Sequence, residues 1–429
     1  MTTKFFDKSF YTKNREQFIK LLKPLSLAII NTFDPLPRSG DQFYPFKPNP
    51  NLLYLTGIAQ EETLLFLFPD APNPAYREVL FVSDRNEAME IWNGKRLSKE
   101  EATSISGVKN VQWISNFETI LRDAMAMAEN VYLDYNEYGG YSGFDDFKNL
   151  RFVKQIKESF PIHHYNRSYP IFQQLRLQKK TEELKVIKQA INITDKAFQS
   201  VASALKPGMN EFEIEAVITY NFLKNDARFH GFSPIVASGI NACYLHYHEN
   251  CSVCNKGDLL LMDMGAELDH YTSDISRVLP VNGKFNKRQK QIYNTVLDVL
   301  KRAQKLLVTG TTIISVNAQV GKIIEEELIK LGLLKLSDVK KQNPDNPLYK
   351  KYYPHGVSHF LGMDAHDIGH RYIPLKPGMV VTCEPGIYIF EEKMGIRLEN
   401  DILITAKGPV NLSESIPIEI DEIESLMKK

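Results

Sequence analysis

The strand-like segments of the C-terminal half carry carboxylates where apolar side chains belong. Asp263 stands in LLLMDMGAEL, Asp274 in HYTSDISRVL, Glu384 ends the apolar run of VVTCEPGIYI, and Glu399 interrupts MGIRLENDILIT. An ionised carboxylate is costly to bury unless a cation compensates it, so any fold that packs these segments must supply one. A hairpin turning at Leu268 and Asp269 would set Asp263 opposite Asp274, with Cβ atoms roughly 5 Å apart. At that distance two carboxylates repel and raise each other's pKa unless a metal ion lies between them. Arg397 stands two residues before Glu399 and shares its face of a strand.

His359, in PHGVSHFLGMDAHD, adds a nitrogen donor, and Pro354 with Gly356 argues for a shaped loop rather than a helical zinc motif. Asp263, Asp274, His359, Glu384 and Glu399 then form an oxygen-rich set with one imidazole. Its total charge matches two divalent ions, and its donors favour Mn²⁺ or a similar hard ion over a structural zinc. A two-metal hydrolytic site is the expected chemistry.

The length of 429 residues favours two domains, and the patterning divides near residue 172. From about 25 to 160, short apolar runs (Leu25–Ile30, Leu52–Thr56, Thr63–Phe68, Val79–Val82, Val131–Asp134) alternate with helix-like stretches such as 115–129, which predicts a mixed α/β domain over 1–172. Over 173–429 the expectation is α+β. A long amphipathic helix runs from a cap at Thr181 to Pro207 and Gly208, and Asn210 with Glu213 opens a second. Periodic helices follow at 286–307 and 315–331. Strands are expected at Leu259–Met264, Tyr271–Leu279, Val380–Glu384, Gly386–Phe390 and Ile396–Thr405.

Composition narrows the function further. Fifty-two basic residues balance fifty-two acidic ones, so no net field draws the chain to nucleic acid or to an anionic membrane. The four Cys suit a reducing, cytoplasmic compartment, and neither a signal peptide nor a membrane segment is visible. Phosphate-binding G-x-x-x-x-G-K and nucleophilic G-x-S-x-G motifs are absent. Cys251 and Cys254 have metal-pair spacing but no second pair, so they read as turn composition. His163 and His164 read as surface residues near the domain boundary, and His230, His248 and His370 read equally as loop residues or as groups standing behind the ligands.

The segments LHYHEN, LLLMDMGAELDHYTSDISRVLPVNGKF, HGVSHFLGMDAHDIG, LKPGMVVTCEPGIYI and GIRLENDILIT resemble, in order, the active-site motifs of the metal-dependent pita-bread peptidases, and within them the Xaa-Pro aminopeptidase (aminopeptidase P) branch. RSGDQFYPFKPNPNLLYLTGIAQEETLLFLF looks like the creatinase/prolidase-type N-terminal domain of that branch, so the resemblance spans nearly the whole chain. It implies a pita-bread catalytic domain behind a smaller N-terminal domain, and metal ligands at Asp263, Asp274, His359, Glu384 and Glu399. It also implies two Mn²⁺ ions and a hydroxide attacking the carbonyl before proline, with Glu384 as proton acceptor and His355 or His366 steadying the oxyanion. His246, His355, His366, Tyr388 and Arg397 would line the substrate side. The partners implied are peptides with proline second, and a homodimer or homotetramer. A prolidase shares these motifs, and a catalytically dead binding module would have lost ligands that this chain keeps.

Overall fold

The computed structural model describes residues 5–137 and 148–428, and the chain divides into two compact units, Met1–Arg176 and Leu177–Lys429. Residue 172, where the sequence pattern changes, falls inside the helix Tyr169–Leu177.

In the first unit the apolar runs build a six-stranded mixed sheet. Its order is Asn110–Trp113, Glu78–Val82, Leu64–Leu67, Ser26–Asn31, Asn130–Leu133, His164–Arg167. Leu64–Leu67 pairs antiparallel with both of its neighbours, and the remaining pairings are parallel. Leu27, Ile29, Phe66, Phe81 and Val131 pack against Phe117, Leu121 and Met125, the apolar stripe of the helix Phe117–Met125. The run Leu52–Thr56 is not a strand. It lies in the helix Pro50–Thr56, where the Asn49 side chain caps Asn51 N and Pro50 fills the first turn without sacrificing a donor.

The second unit opens with the helix Thr181–Ala204, which buries Val186, Ile187, Ala190, Ile191, Ala197, Phe198 and Val201 on one face. Its cap lies one residue before Thr181: Lys180 N donates to the Glu183 carboxylate at 2.8 Å. The Asn210 and Glu213 capping box opens Glu211–Lys224, and Asn286 and Thr312 cap Lys287–Gln304 and Ile313–Lys330. Strands Ile235–Ser238, Leu259–Met264 and Ile275–Pro280 form one antiparallel sheet, and Val380–Cys383, Asn400–Thr405 and Gly408–Asn411 another. Gly386–Ile389 pairs with Met394–Arg397. The architecture is α+β.

Two expected strands are interrupted, and the interruptions fall on carboxylates. Tyr271–Leu279 breaks at Ser273 and Asp274, and Ile396–Thr405 breaks at Leu398 and Glu399. The hairpin turn also sits one residue later than the sequence suggests. Buried Leu268 stays in the ladder opposite Tyr271, and Asp269 and His270 turn with φ of 43° and 66°. Asp263 therefore pairs with Ser276, not with Asp274. A shift of one residue at the turn moves the partner by two, and two residues is the repeat of a strand, so Asp274 keeps to the face of Asp263. Gly265 lets the chain pass here: a Cβ on it would lie 1.9 Å from the Ser273 carbonyl oxygen.

Candidate metal centre

Each ligand-type side chain is held by a different element. Asp263 lies in the middle strand of its sheet, between Ile235 and Ser276. Asp274 stands just before Ile275–Pro280, with its N–H donating to Asp401 Oδ2 at 3.2 Å. His359 is tied to Val380–Cys383 in both directions: His359 N donates to Thr382 Oγ1 at 3.2 Å and Thr382 N donates to the His359 carbonyl at 2.9 Å. Glu384 follows that strand and donates its N–H to Val357 O at 2.9 Å. Glu399 N donates to Ser276 O at 3.2 Å, and its carboxylate accepts from Ser276 Oγ at 2.8 Å.

Ligand atoms of Asp274, His359 and Glu399 lie within 4.8 Å of one another. The His359 Nε2 stands 3.5 Å from Asp274 Oδ2 and 3.7 Å from Glu384 Oε1, both too long for hydrogen bonds. His359 Nδ1 faces the Phe360 carbonyl at 3.1 Å, which can only accept, so the neutral ring carries its proton there and turns the Nε2 lone pair toward the carboxylates. Burial, and next the neighbouring His366, hold the His359 pKa down at about 3, which keeps it neutral.

Asp263 and Glu384 stand around this trio. Arg397 holds Asp263: Nη2 donates to Oδ2 at 2.7 Å, while Oδ1 is buried with no hydrogen-bond partner among the described residues. The same guanidinium donates from Nε to Ser276 Oγ at 2.9 Å and from Nη1 to Tyr388 Oη at 3.2 Å, so one cation steadies Asp263 directly and Glu399 through a serine. Burial lifts the Asp274 and Glu399 carboxyls well above the usual range. Repulsion adds to this, led by Glu399 acting on Asp274 and by Asp263 acting on Glu399. Glu384 is pushed up to about 8, by burial first, with Arg397 opposing and Asp263 reinforcing. Four clustered carboxylates that share the Arg397 guanidinium and, beside Glu399, the buried Arg277, together with an orphaned Oδ1 and an imidazole lone pair aimed at oxygens, fit divalent cations.

The substrate-side residues named from the sequence are brought in unequally. His355 Nε2 lies 2.8 Å from Tyr388 Oη, and His355 Nδ1 lies 2.8 Å from Gly356 O, so the ring donates to Gly356 and accepts from Tyr388. The Tyr388 pKa is raised to about 12 by burial, which keeps the phenol a donor. His366 lies over His359, with ring centroids 4.1 Å apart. His246 is exposed and stacked on His248 at 6.1 Å, and burial first, with neighbouring His246 adding to it, lowers the pKa of His366.

Sequence reasoning passed over Asp401, Ser276 and Asn317. Asp401 is buried two residues after Glu399 and accepts from Asp274 N. Strand alternation around Glu399 was the available signal for it. Asn317 Oδ1 accepts from Val357 N at 2.8 Å and so fixes the loop between His355 and His359, a contact that local spacing does not encode.

Known proteins are similar to this chain along nearly its whole length. The family model for Metallopeptidase family M24 matches residues 185–406, and that for the aminopeptidase P N-terminal domain matches residues 11–132. The Xaa-Pro aminopeptidase of Escherichia coli is 34% identical, with 97% of each chain covered. Human Xaa-Pro aminopeptidase 3 is 30% identical over 90% of this chain and 78% of its own length. Zinc-substituted E. coli aminopeptidase P in complex with product superposes with a TM-score of 0.87 at 33% identity, covering 98% of both chains. The E. coli enzyme with the inhibitor Pro-Leu gives the same values. With one family model spanning more than half of its residues and relatives this similar along almost all of its length, the chain belongs to metallopeptidase family M24.

Proposed function

We propose that this chain is an Xaa-Pro aminopeptidase, hydrolysing the bond between the first residue of a peptide and a proline in second place. The convergence of Asp263, Asp274, His359, Glu384 and Glu399 around a negative site that Arg397 compensates only in part carries the reading. In this reading those five side chains hold two divalent ions, and Mn²⁺ suits their oxygen-rich donors. Such ions would lower the pKa of a bound water toward neutrality and polarise a carbonyl, so no protein nucleophile is required.

The chain's own groups do the rest. Glu384 takes the proton that the attacking water loses and returns it to the departing proline nitrogen. Arg397 keeps Asp263 and Glu399 in place through its contacts with Asp263 and Ser276. Tyr388 holds His355 by its hydroxyl, and His355, His366 and His246 line the side from which the peptide enters. His355 carries its proton on Nδ1, so it releases Gly356 when it turns that donor to the oxyanion, whereas His366 over His359 is the alternative donor. The proposal extends to a homodimer or homotetramer in the cytoplasm, and no helix among the described residues is long and apolar enough to cross a membrane.

Product mass spectrometry with Ala-Pro-Gly-Gly, Ala-Pro and Ala-Ala-Gly-Gly tests the reading, each with Mn²⁺ and with chelator. Release of Ala from Ala-Pro-Gly-Gly, little from the other two and none after chelation is the expected result. Cleavage of Ala-Pro alone would make the chain a prolidase.

A further inference from the structure

Outside the metal centre the second unit buries another ion pair, and that pair sits next to a residue of the candidate site. Lys179 Nζ lies 2.8 Å from Asp367 Oδ2, with both side chains 1% exposed. Asp367 follows His366 directly in the chain. A pair sealed this far from water recovers little of its desolvation cost as net stability, and apolar residues of similar volume often stabilise as well, so its use lies in fixing geometry.

The surroundings are built around it. Asp367 N donates to Phe360 O at 3.0 Å, and Gly362 N donates to Asp364 O at 3.1 Å, so the segment from His359 to Asp367 closes on itself. Leu361 N donates to Val380 O at 3.1 Å and Gly362 O accepts from Thr272 N at 2.9 Å, which pins the closed segment to two strands. Gly362 has no room for a side chain: a Cβ would lie 2.1 Å from Asp367 Oδ2 and 2.8 Å from Lys179 Nζ. The backbone therefore presses directly on the ion pair. Lys179 is anchored in turn. Its N–H donates to Gly378 O at 2.7 Å, and the next residue, Lys180, donates its N–H to the buried Glu183, which also accepts from Tyr271 Oη at 2.8 Å.

We propose that Lys179 and Asp367 are a positioning pair for the hydrolytic reaction: their ion pair fixes the closed segment that holds the His366 imidazole over His359, so that His366 meets the peptide in one orientation. The proposal rests on the reading above that His366 faces the substrate. The pair itself touches no reacting atom, and its effect on the reaction runs through His366.

The test uses the full chain and four variants: Lys179→Met, Asp367→Asn, the double variant Lys179→Met/Asp367→Leu, and His366→Ala. The double variant removes both charges of the pair, while the buried Glu183 carboxylate keeps its bonds from Lys180 N and Tyr271 Oη, so it decides the matter where a single variant fails to fold. In the Mn²⁺-loaded enzyme, kcat for Ala-Pro-Gly-Gly should fall about tenfold or more in each folded pair variant, as expected for a displaced active-site group. Built into a His366→Ala background, the same changes should cost about twofold or less, because the group they position is already gone. A fall of equal size in both backgrounds, or full activity in the double variant, would overturn the proposal. A second readout needs no turnover: in metal-free protein with ¹³Cε1-labelled histidine, the resonance that disappears in His366→Ala should shift in the double variant. An unmoved resonance also overturns the proposal. Absence of turnover in the parent chain, with that resonance shifted, would instead count against the peptidase reading and leave the positioning role supported.

Discussion

Glu384 combines two roles that a single substitution can test together. It contributes one of the clustered negative charges, and it is the group proposed to carry the proton. Glu384→Gln keeps the volume and removes both. Loss of a general base costs about 10² to 10⁴ in rate, so kcat should fall by about a thousandfold while the circular dichroism spectrum stays that of the parent. Activity within tenfold of the parent would sink the assignment. The side chains that converge here were legible in the sequence because an acidic residue in an apolar strand has so few affordable surroundings. Asp401 obeys the same logic and was passed over, because Glu399 two residues earlier already accounted for the segment. Ser276, which links Arg397 to Glu399, and Asn317, which steadies the His355 loop, could not be read, since a strand serine and a helix asparagine are ordinary until the partner is seen.

At the scale of elements, the sequence patterns located the helices and most strands, and the differences have local causes. Leu268 is too apolar to turn in solvent, so Asp269 and His270 take the positive φ values and the register moves by two residues. Pro50 and Asn49 override the strand-like composition of Leu52–Thr56. The strand breaks at Asp274 and Glu399 do not show in the sequence because the residues on either side keep a strand-like composition, whereas the bonds from Asp274 N to Asp401 and from Glu399 N to Ser276 divert the chain. Gly265 sits at the crossing between Asp263 and the turn. Gly265→Ala would drive a methyl group to 1.9 Å from the Ser273 carbonyl, against backbone that cannot swing aside. Overpacking of this kind costs about 2 kcal/mol or more. Urea denaturation should show that loss as a lower midpoint at unchanged slope, with metal content falling as well, because the displaced backbone leads straight to Asp274. A variant with the parent's midpoint would mean that the close approach relaxes freely.

Over the whole molecule, charge is balanced in number but not in place: fifty-two positive and fifty-two negative residues leave the metal centre with a local excess of carboxylates. That excess sets how the metal-free protein responds to pH. Glu384 titrates near 8 in the fold, against about 4.3 for an unfolded glutamate. Between those values the folded state holds the extra proton, so stability contributed by neutral Glu384 is complete below the unfolded value and is lost as pH rises through the folded one. Asp274 and Glu399 are raised as well and act in the same direction. His355 and His359 oppose them at lower pH. Both are held down at about 3, against about 6.5 unfolded, so what they contribute is present above 6.5 and is lost as pH falls toward 3. Above pH 6.5 the unfolded histidines lose the last of their protonation while the three raised carboxyls are still protonated in the fold, so the carboxyls outweigh them and the Tm of chelated protein should fall from pH 6.5 to 8. Added Mn²⁺ should raise Tm, and by more at pH 8 than at 6.5, because the ions bind the deprotonated carboxylates and stabilise only the folded chain. A chelated protein whose Tm is flat from 6.5 to 8, and which gains nothing from Mn²⁺, would mean that the carboxylate cluster is compensated without metal. It would bring back the reading of the chain as a catalytically dead binding module.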